Sequence, residues 1–467
     1  MKDLLKFIKS SGIYFVGSIL TKLISFLLLP MYTKYITPSD YGTYDLYNAC
    51  IYFLCCVLYL EIWSGVMRFM YEYEGDGKKK PITNGFLIFL SSSVLYTLIL
   101  TVTSLVMTVE HLPFWWLYGL LMNFQTFAGY IARGYGKNVL YASAGLIGTV
   151  TTILFNIILL VYCHMDYSAL LIASCIGYVV NIGIVLSGIR VPGIFAIKNF
   201  DRGLFKRLFL FSLPLCINSV AYWFLNNYNT VAITHELGSE ANGYYAIASR
   251  FGSMITLFTT CFQMAWQELA YSKSAKENNL KDFYTVATNS YIRFLGMGVS
   301  LLIPMIFIIF PIMINDSYAQ GKDLVPVYLM ATIISSVSNF IGNTFSAIKK
   351  NSLIFITTAV GSIVNVVSVH ILLPLIGVQA AGLALLLGFL ANTVARLILL
   401  RKEIQIRIDW KNIGIILIMF VFVTFLYRNG NILWNLGGLG IACLVTLYVF
   451  REEVRIGIKK LKQKRTQ

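Results

Sequence analysis

The chain has 467 residues, of which 57% are hydrophobic and only 12% charged, with a formal net charge of +16. An ordinary soluble protein carries roughly 25% charged residues, so this composition excludes a soluble enzyme, a disordered chain and a secreted disulfide scaffold. What remains is a polytopic, all-α membrane protein, because the apolar runs are long and unbroken and do not alternate with the period of a barrel strand.

A transmembrane helix needs about 20 residues and short loops add about 8–12, so the length accommodates about 14 spans. Apolar runs predict them, in chain order, at 11–36, 44–67, 83–109, 113–133, 141–163, 168–190, 209–234, 243–269, 285–310, 324–347, 352–375, 380–400, 412–428 and 432–450. The run after Lys2, Lys6 and Lys9 is too long for a cleaved leader and is expected to stay as the first span.

The positive-inside rule orients the spans. With the N-terminus inside, the inward connections carry Lys78–Lys80, Arg133 and Lys137, Lys198 to Arg207, Lys273 to Lys281, Lys349 and Lys350, and Arg401 to Lys411, followed by a basic tail. The outward ones carry only Lys34, Lys322 and Arg428 among their cations. Both termini are therefore expected in the cytoplasm. The basic tail reads as a topology and anionic-lipid signal, and no nucleic-acid partner is expected.

An internal repeat emerges next. Pro38-Ser-Asp-Tyr-Gly-Thr-Tyr44 and Ser239-Glu-Ala-Asn-Gly-Tyr-Tyr245 align Gly42 on Gly243 at an offset of 201, and Gly177 to Arg190 aligns on Gly388 to Arg401 at 211. Six helices per repeat make the halves parallel, related by an axis along the membrane normal around a central cavity. The expected lobes are 1–200 and 201–402, with two further helices and the tail at 403–467.

Ionisable groups at membrane depth are functional candidates by default. Lys22 lies about 16 Å into the first span at 1.5 Å per residue, near the midplane of a ~30 Å core. Arg250 lies two turns into the eighth span. Glu61 lies in the inner third of the second, as a candidate for proton or sodium coupling or for a structural pair with a cation; Arg68 is two turns below it. Asp45, at the outer mouth of the second span, is a weaker coupling candidate and reads first as a solvated helix-start carboxylate.

Asn218, Tyr222, Asn226 and Asn229, spaced 4, 4 and 3, mark one face of the seventh span, where amides and tyrosines suit sugar hydroxyls. Asn339 and Asn343 repeat the idea on the tenth, and Gln263 and Gln267 on the eighth. Single asparagines such as Asn123, Asn181 and Asn392 read as interhelical hydrogen bonds. The eight cysteines read as small buried hydrophobes. The four histidines lack metal-ligand spacing, no phosphate-binding loop of the GxxxxGK[ST] type occurs, and no cofactor or metal is expected.

Gly17-Ser-Ile-Leu-Thr-Lys-Leu-Ile-Ser-Phe-Leu-Leu-Leu-Pro30 and Tyr35-Ile-Thr-Pro-Ser-Asp-Tyr-Gly-Thr-Tyr44 resemble the opening of Wzx-type polysaccharide flippases. Ser212-Leu-Pro214, Gly243-Tyr-Tyr-Ala-Ile-Ala248, Gln263-Met-Ala-Trp-Gln267 and Gly377-Val-Gln-Ala-Ala-Gly382 are similar to that family's later signatures.

The resemblance covers roughly 1–400. It implies the fold of the multidrug/oligosaccharidyl-lipid/polysaccharide superfamily and translocation of undecaprenyl-diphosphate-linked oligosaccharide to the outer leaflet. It also implies partnership with membrane lipids and with polysaccharide polymerase and chain-length machinery. Lys22 and Arg250 match the family's diphosphate-binding cations, whereas the second span departs by carrying Glu61. A multidrug antiporter and a lipid II flippase remain alternatives.

Overall fold

The computed structural model describes residues 26–190, 195–274, 281–348, 350, 352–429 and 431–451. Helix is the dominant element. In chain order the α-helices are α1 (Leu29–Tyr35), α2 (Pro38–Tyr59), α3 (Ile62–Met70), α4 (Lys79–Val106), α5 (Leu112–Gly134), α6 (Asn138–Ile157), α7 (Ser168–Ile189) and α8 (Arg202–Asn226). They continue with α9 (Tyr228–Leu237), α10 (Ser239–Ser274), α11 (Lys281–Met313), α12 (Val325–Ala347), α13 (Ser352–Ile376), α14 (Gln379–Ile404), α15 (Trp410–Arg428) and α16 (Ile432–Val449).

Local chemistry fixes several helix starts. Asp40 N–H donates to the Thr37 hydroxyl at 3.2 Å, with Pro38 at the first helical position of α2. Asp201 accepts from Leu204 N–H at 3.1 Å and Asn431 from Leu433 N–H at 2.9 Å, capping α8 and α16.

Among the described residues ten helices are long and apolar enough to cross a membrane, or eleven if the bent pair α2 and α3 is one span. Helices α5 and α10 stand where the fourth and eighth spans were expected but fall outside that count. The first expected span lies mostly outside the described residues. A total of fourteen is thus not established.

The chain forms two compact units, Met1–Gly243 and Tyr244–Gln467. In the first, α6 packs on α7, α5 on α7 and α3, and α4 on α2 and α8. Helix α4 shows the division of labour. Val94, Leu98, Val102 and Leu105, spaced 4, 4 and 3, are exposed apolar side chains suited to lipid, while Phe89, Ser92, Tyr96 and Leu100 are buried. Helices α6 and α7 approach through Gly148 and Gly177, where a Cβ on either would come within 3 Å of the other's carbonyl oxygen. Asn123 donates to Cys55 Sγ at 2.8 Å and to Gly119 O at 2.7 Å, as the interhelical reading anticipates.

In the second unit α14 packs on α13 and α12, and the last two helices, α15 and α16, pack on α11. Cys55, Cys56, Cys175 and Cys216 are buried as expected, whereas Cys163 and Cys443 are exposed. Both lie at or near helix ends or on a surface that lipid can cover.

Candidate functional site

The span that begins at Pro38 does not run straight. Helix α2 stops at Tyr59, Leu60 and Glu61 both adopt left-handed backbone (φ 54° and 50°), and α3 departs at 45°. Left-handed backbone is unfavourable for residues bearing a Cβ, and two in succession persist only where the surroundings hold them. The break frees carbonyls in the last turn of α2, and neighbouring helices satisfy them. Ser92 donates to Leu58 O at 2.7 Å, and the Cys216 thiol approaches Val57 O at 3.8 Å. Broken helices survive at membrane depth by such substitutions.

Glu61 starts α3 from this break and is half-buried. The Ser219 hydroxyl of α8 donates to Glu61 Oε1. Among the described residues Glu61 has this hydroxyl and no ion-pair partner, and Arg68 lies 3.7 Å from Glu72. Tyr52 is within electrostatic reach of Glu61, Cys56 and Tyr222, and Cys216 of Glu61. Tyr52 and Tyr222 are exposed, so α2 and α8 present a polar face beside the carboxylate.

The polar stripe is only partly continuous. Asn218, Tyr222 and Asn226 share α8, with Asn226 Nδ2 bonded to Tyr222 O at 2.8 Å. The helix ends there, and Asn229 lies in α9, fully buried. Asp45 accepts from the Thr230 hydroxyl of α9 at 3.0 Å.

In the second unit, Arg250 and Gln263 are half-buried on α10, and Asn339 and Asn343 are half-buried one turn apart on α12. Lys22 lies outside the described residues. The side chain of Gln267 does too.

Arg396 is a charge that the sequence reading missed. It is 2% exposed on α14 and donates to Thr357 Oγ1 and Thr358 Oγ1, each at 3.2 Å, and to Ser338 O. Gly342 makes room for it, since a Cβ there would lie 2.8 Å from Nη1. The cation thus ties α12, α13 and α14 together.

A second polar cluster joins the loops ahead of α5 and α7. His111 Nε2 lies 2.8 Å from Asp166 Oδ2, and Tyr167 donates to Glu110 Oε2 at 3.2 Å. Partial burial pushes the Asp166 carboxyl up. Hydrogen bonds from Ser168, together with the His111 contact, outweigh that effect and hold it below its ordinary value.

Comparisons with known proteins agree with this architecture. A curated relative in Haemophilus influenzae, the Lsg locus putative protein 1, is 21% identical over 258 residues, covering 54% of this chain. The match spans 63% of that relative's length. A solved structure of the lipid II flippase MurJ in an inward closed conformation superposes with a TM-score of 0.70 at 17% identity, over 96% of this chain and all of that one. An inward-facing multidrug resistance transporter of the MATE family and MOP superfamily gives 0.68 at 15% identity, over 81% and 93%. These likenesses show the fold alone, one shared with both superposed structures. The sequence profile described as "Polysaccharide biosynthesis protein" matches residues 7–266, more than half of the chain. The chain belongs to the polysaccharide biosynthesis protein family, as its Wzx-type motifs led one to expect.

Proposed function

We propose that the chain is a flippase that carries undecaprenyl-diphosphate-linked oligosaccharide repeat units from the inner to the outer leaflet by alternating access. The observation that carries this reading is Glu61, a half-buried carboxylate at a helix break, beside an α8 face bearing Asn218, Tyr222 and Asn226. Ionisable groups within apolar spans are costly and mark transport paths, and discontinuous helices suit ion and substrate sites. Amides and tyrosines fit sugar hydroxyls, while the polyprenyl tail can stay in lipid. Glu61 is assigned to H+ or Na+ coupling, with Asp45 as a weaker candidate, and Lys22 and Arg250 to the diphosphate. The lobes 1–200 and 201–402 are assigned as the alternating halves, and both termini to the cytoplasm.

The test is complementation in cells lacking their polysaccharide flippase, comparing the intact chain with Lys22→Ala, Arg250→Ala and Glu61→Gln at matched expression. The intact chain should restore surface glycan and each variant should lose it. Restoration by both cation variants would reject the diphosphate assignment. Restoration by Glu61→Gln would reject coupling through Glu61. Failure of the intact chain across several glycan types, with export of cationic drugs, would replace the flippase reading by the multidrug antiporter.

A further inference from the structure

Two guanidinium groups grip one carboxylate at the end of α3. Glu72 Oε2 accepts from Arg207 Nη2 of α8 at 3.1 Å, and Glu72 Oε1 lies 3.7 Å from Arg68 Nη1. Each oxygen therefore faces its own arginine. The group is open to its surroundings, with side-chain exposures of 60% for Arg68, 59% for Arg207 and 38% for Glu72. Arg207 is held from behind: its guanidinium lies 5.0 Å from the centre of the Phe69 ring, which packs edge-on against Phe211. Exposed Arg202 and Lys206 stand on the first turns of the same helix. The triad alone keeps one net positive charge.

We propose that Arg68 and Arg207 form a docking site for a phosphate headgroup on the inward side of the protein, with Glu72 as a tethered stand-in for the phosphate. Exposed ion pairs are weak, so the carboxylate is displaceable. A diphosphate offers more oxygens and more charge than a carboxylate, and arginine forks bind such groups in a bidentate manner. Charge patterning places this end of α3 among the inward connections, at headgroup level. The inference rests on the flippase reading and adds to it a first contact for the lipid-linked diphosphate through residues other than Lys22 and Arg250. Anionic phospholipid presents the same chemistry, so the test separates the two sources.

The full chain in phosphatidylcholine nanodiscs is titrated with undecaprenyl diphosphate, and separately with phosphatidylglycerol, and binding is read by native mass spectrometry. Arg68→Gln with Arg207→Gln should weaken diphosphate binding roughly tenfold, the loss expected for charge-assisted contacts. Glu72→Gln should tighten it by about threefold, because a competing anion is gone. A purely structural ion pair gives the opposite sign or no change for Glu72→Gln, which would overturn the proposal. If phosphatidylglycerol binds as tightly and responds alike to all three substitutions, the site stands as a phosphate dock whose ligand is bulk lipid. Diphosphate binding that ignores the three residues overturns this dock alone. No diphosphate binding by the intact chain overturns the flippase reading with it.

Discussion

Gly42 and Gly243 cross in a reciprocal contact. A Cβ on Gly42 would lie 1.8 Å from Ser239 O, and one on Gly243 would lie 2.0 Å from Pro38 O. Pro38 and Ser239 are 201 residues apart, as are Gly42 and Gly243. The two approaches thus use the same pair of positions in each helix start. Asn242 adds a hydrogen bond to Gly42 O at 2.8 Å.

Alanine in a helix interior ordinarily stabilises relative to glycine by about 0.5–1 kcal/mol. At this crossing the sign should invert, because the obstacle is backbone and cannot swing aside. Gly42→Ala and Gly243→Ala should each destabilise by about 1–3 kcal/mol, the cost of overpacking. Gly145→Ala on α6, with no neighbouring atom within 4 Å of its Cβ position, is the matched control and should hold or raise the thermal midpoint. Equal midpoints for all three would show that the crossing relaxes freely.

The break between α2 and α3 depends on donors from other helices. Ser92 is 4% exposed and satisfies Leu58 O, whereas the exposed neighbour Ser91 bonds to Leu87 O within its own helix. Ser92→Ala should therefore cost about 1 kcal/mol for a half-buried carbonyl left without its donor, and Ser91→Ala should cost little. Thermal unfolding in detergent compares the two directly. Similar losses would mean that water or a rearranged turn takes over the Leu58 carbonyl.

These features explain what was legible in the sequence. Apolar runs located the helices because bilayer thickness dictates length, and Asn123 read correctly because a buried amide must find a partner. The break at Leu60 and Glu61 has no glycine or proline between Tyr59 and Ile62 to announce it. It is held by Ser92, Cys216 and Ser219, at least 31 residues away in sequence. The stripe through Asn229 assumed one continuous helix, and the turn at Asn227 removes it from that face. Arg396 precedes Arg401 by little more than a turn and reads as part of that end cluster, although three helices enclose it.

Enclosure makes Arg396 intolerant of a nominally conservative change. A lysine carries a compact charge that cannot reach Thr357, Thr358 and Ser338 O together. Arg396→Lys should lower stability by roughly 1.5–3 kcal/mol, the worth of hydrogen bonds to a charged group. A double-mutant cycle with Thr358→Val tests the contact itself. A coupling energy near zero would show that the hydroxyl does not hold the guanidinium.

The clasp between His111 and Asp166 gives a pH dependence with a defined sign. Asp166 has a folded value below its ordinary 3.8, so on acidification the unfolded chain takes up this proton first. Its contribution to stability is complete above the ordinary carboxylate range and is lost as pH falls through the depressed folded value. Asp166→Asn should lower the thermal midpoint at pH 7, and the gap from the parent should close toward pH 3. Serine caps and imidazole contacts on this exposed loop are screened by solvent, so the gap should be small. A gap that stays constant from pH 7 to pH 3 would assign the loss to packing of the loop and not to the carboxylate charge.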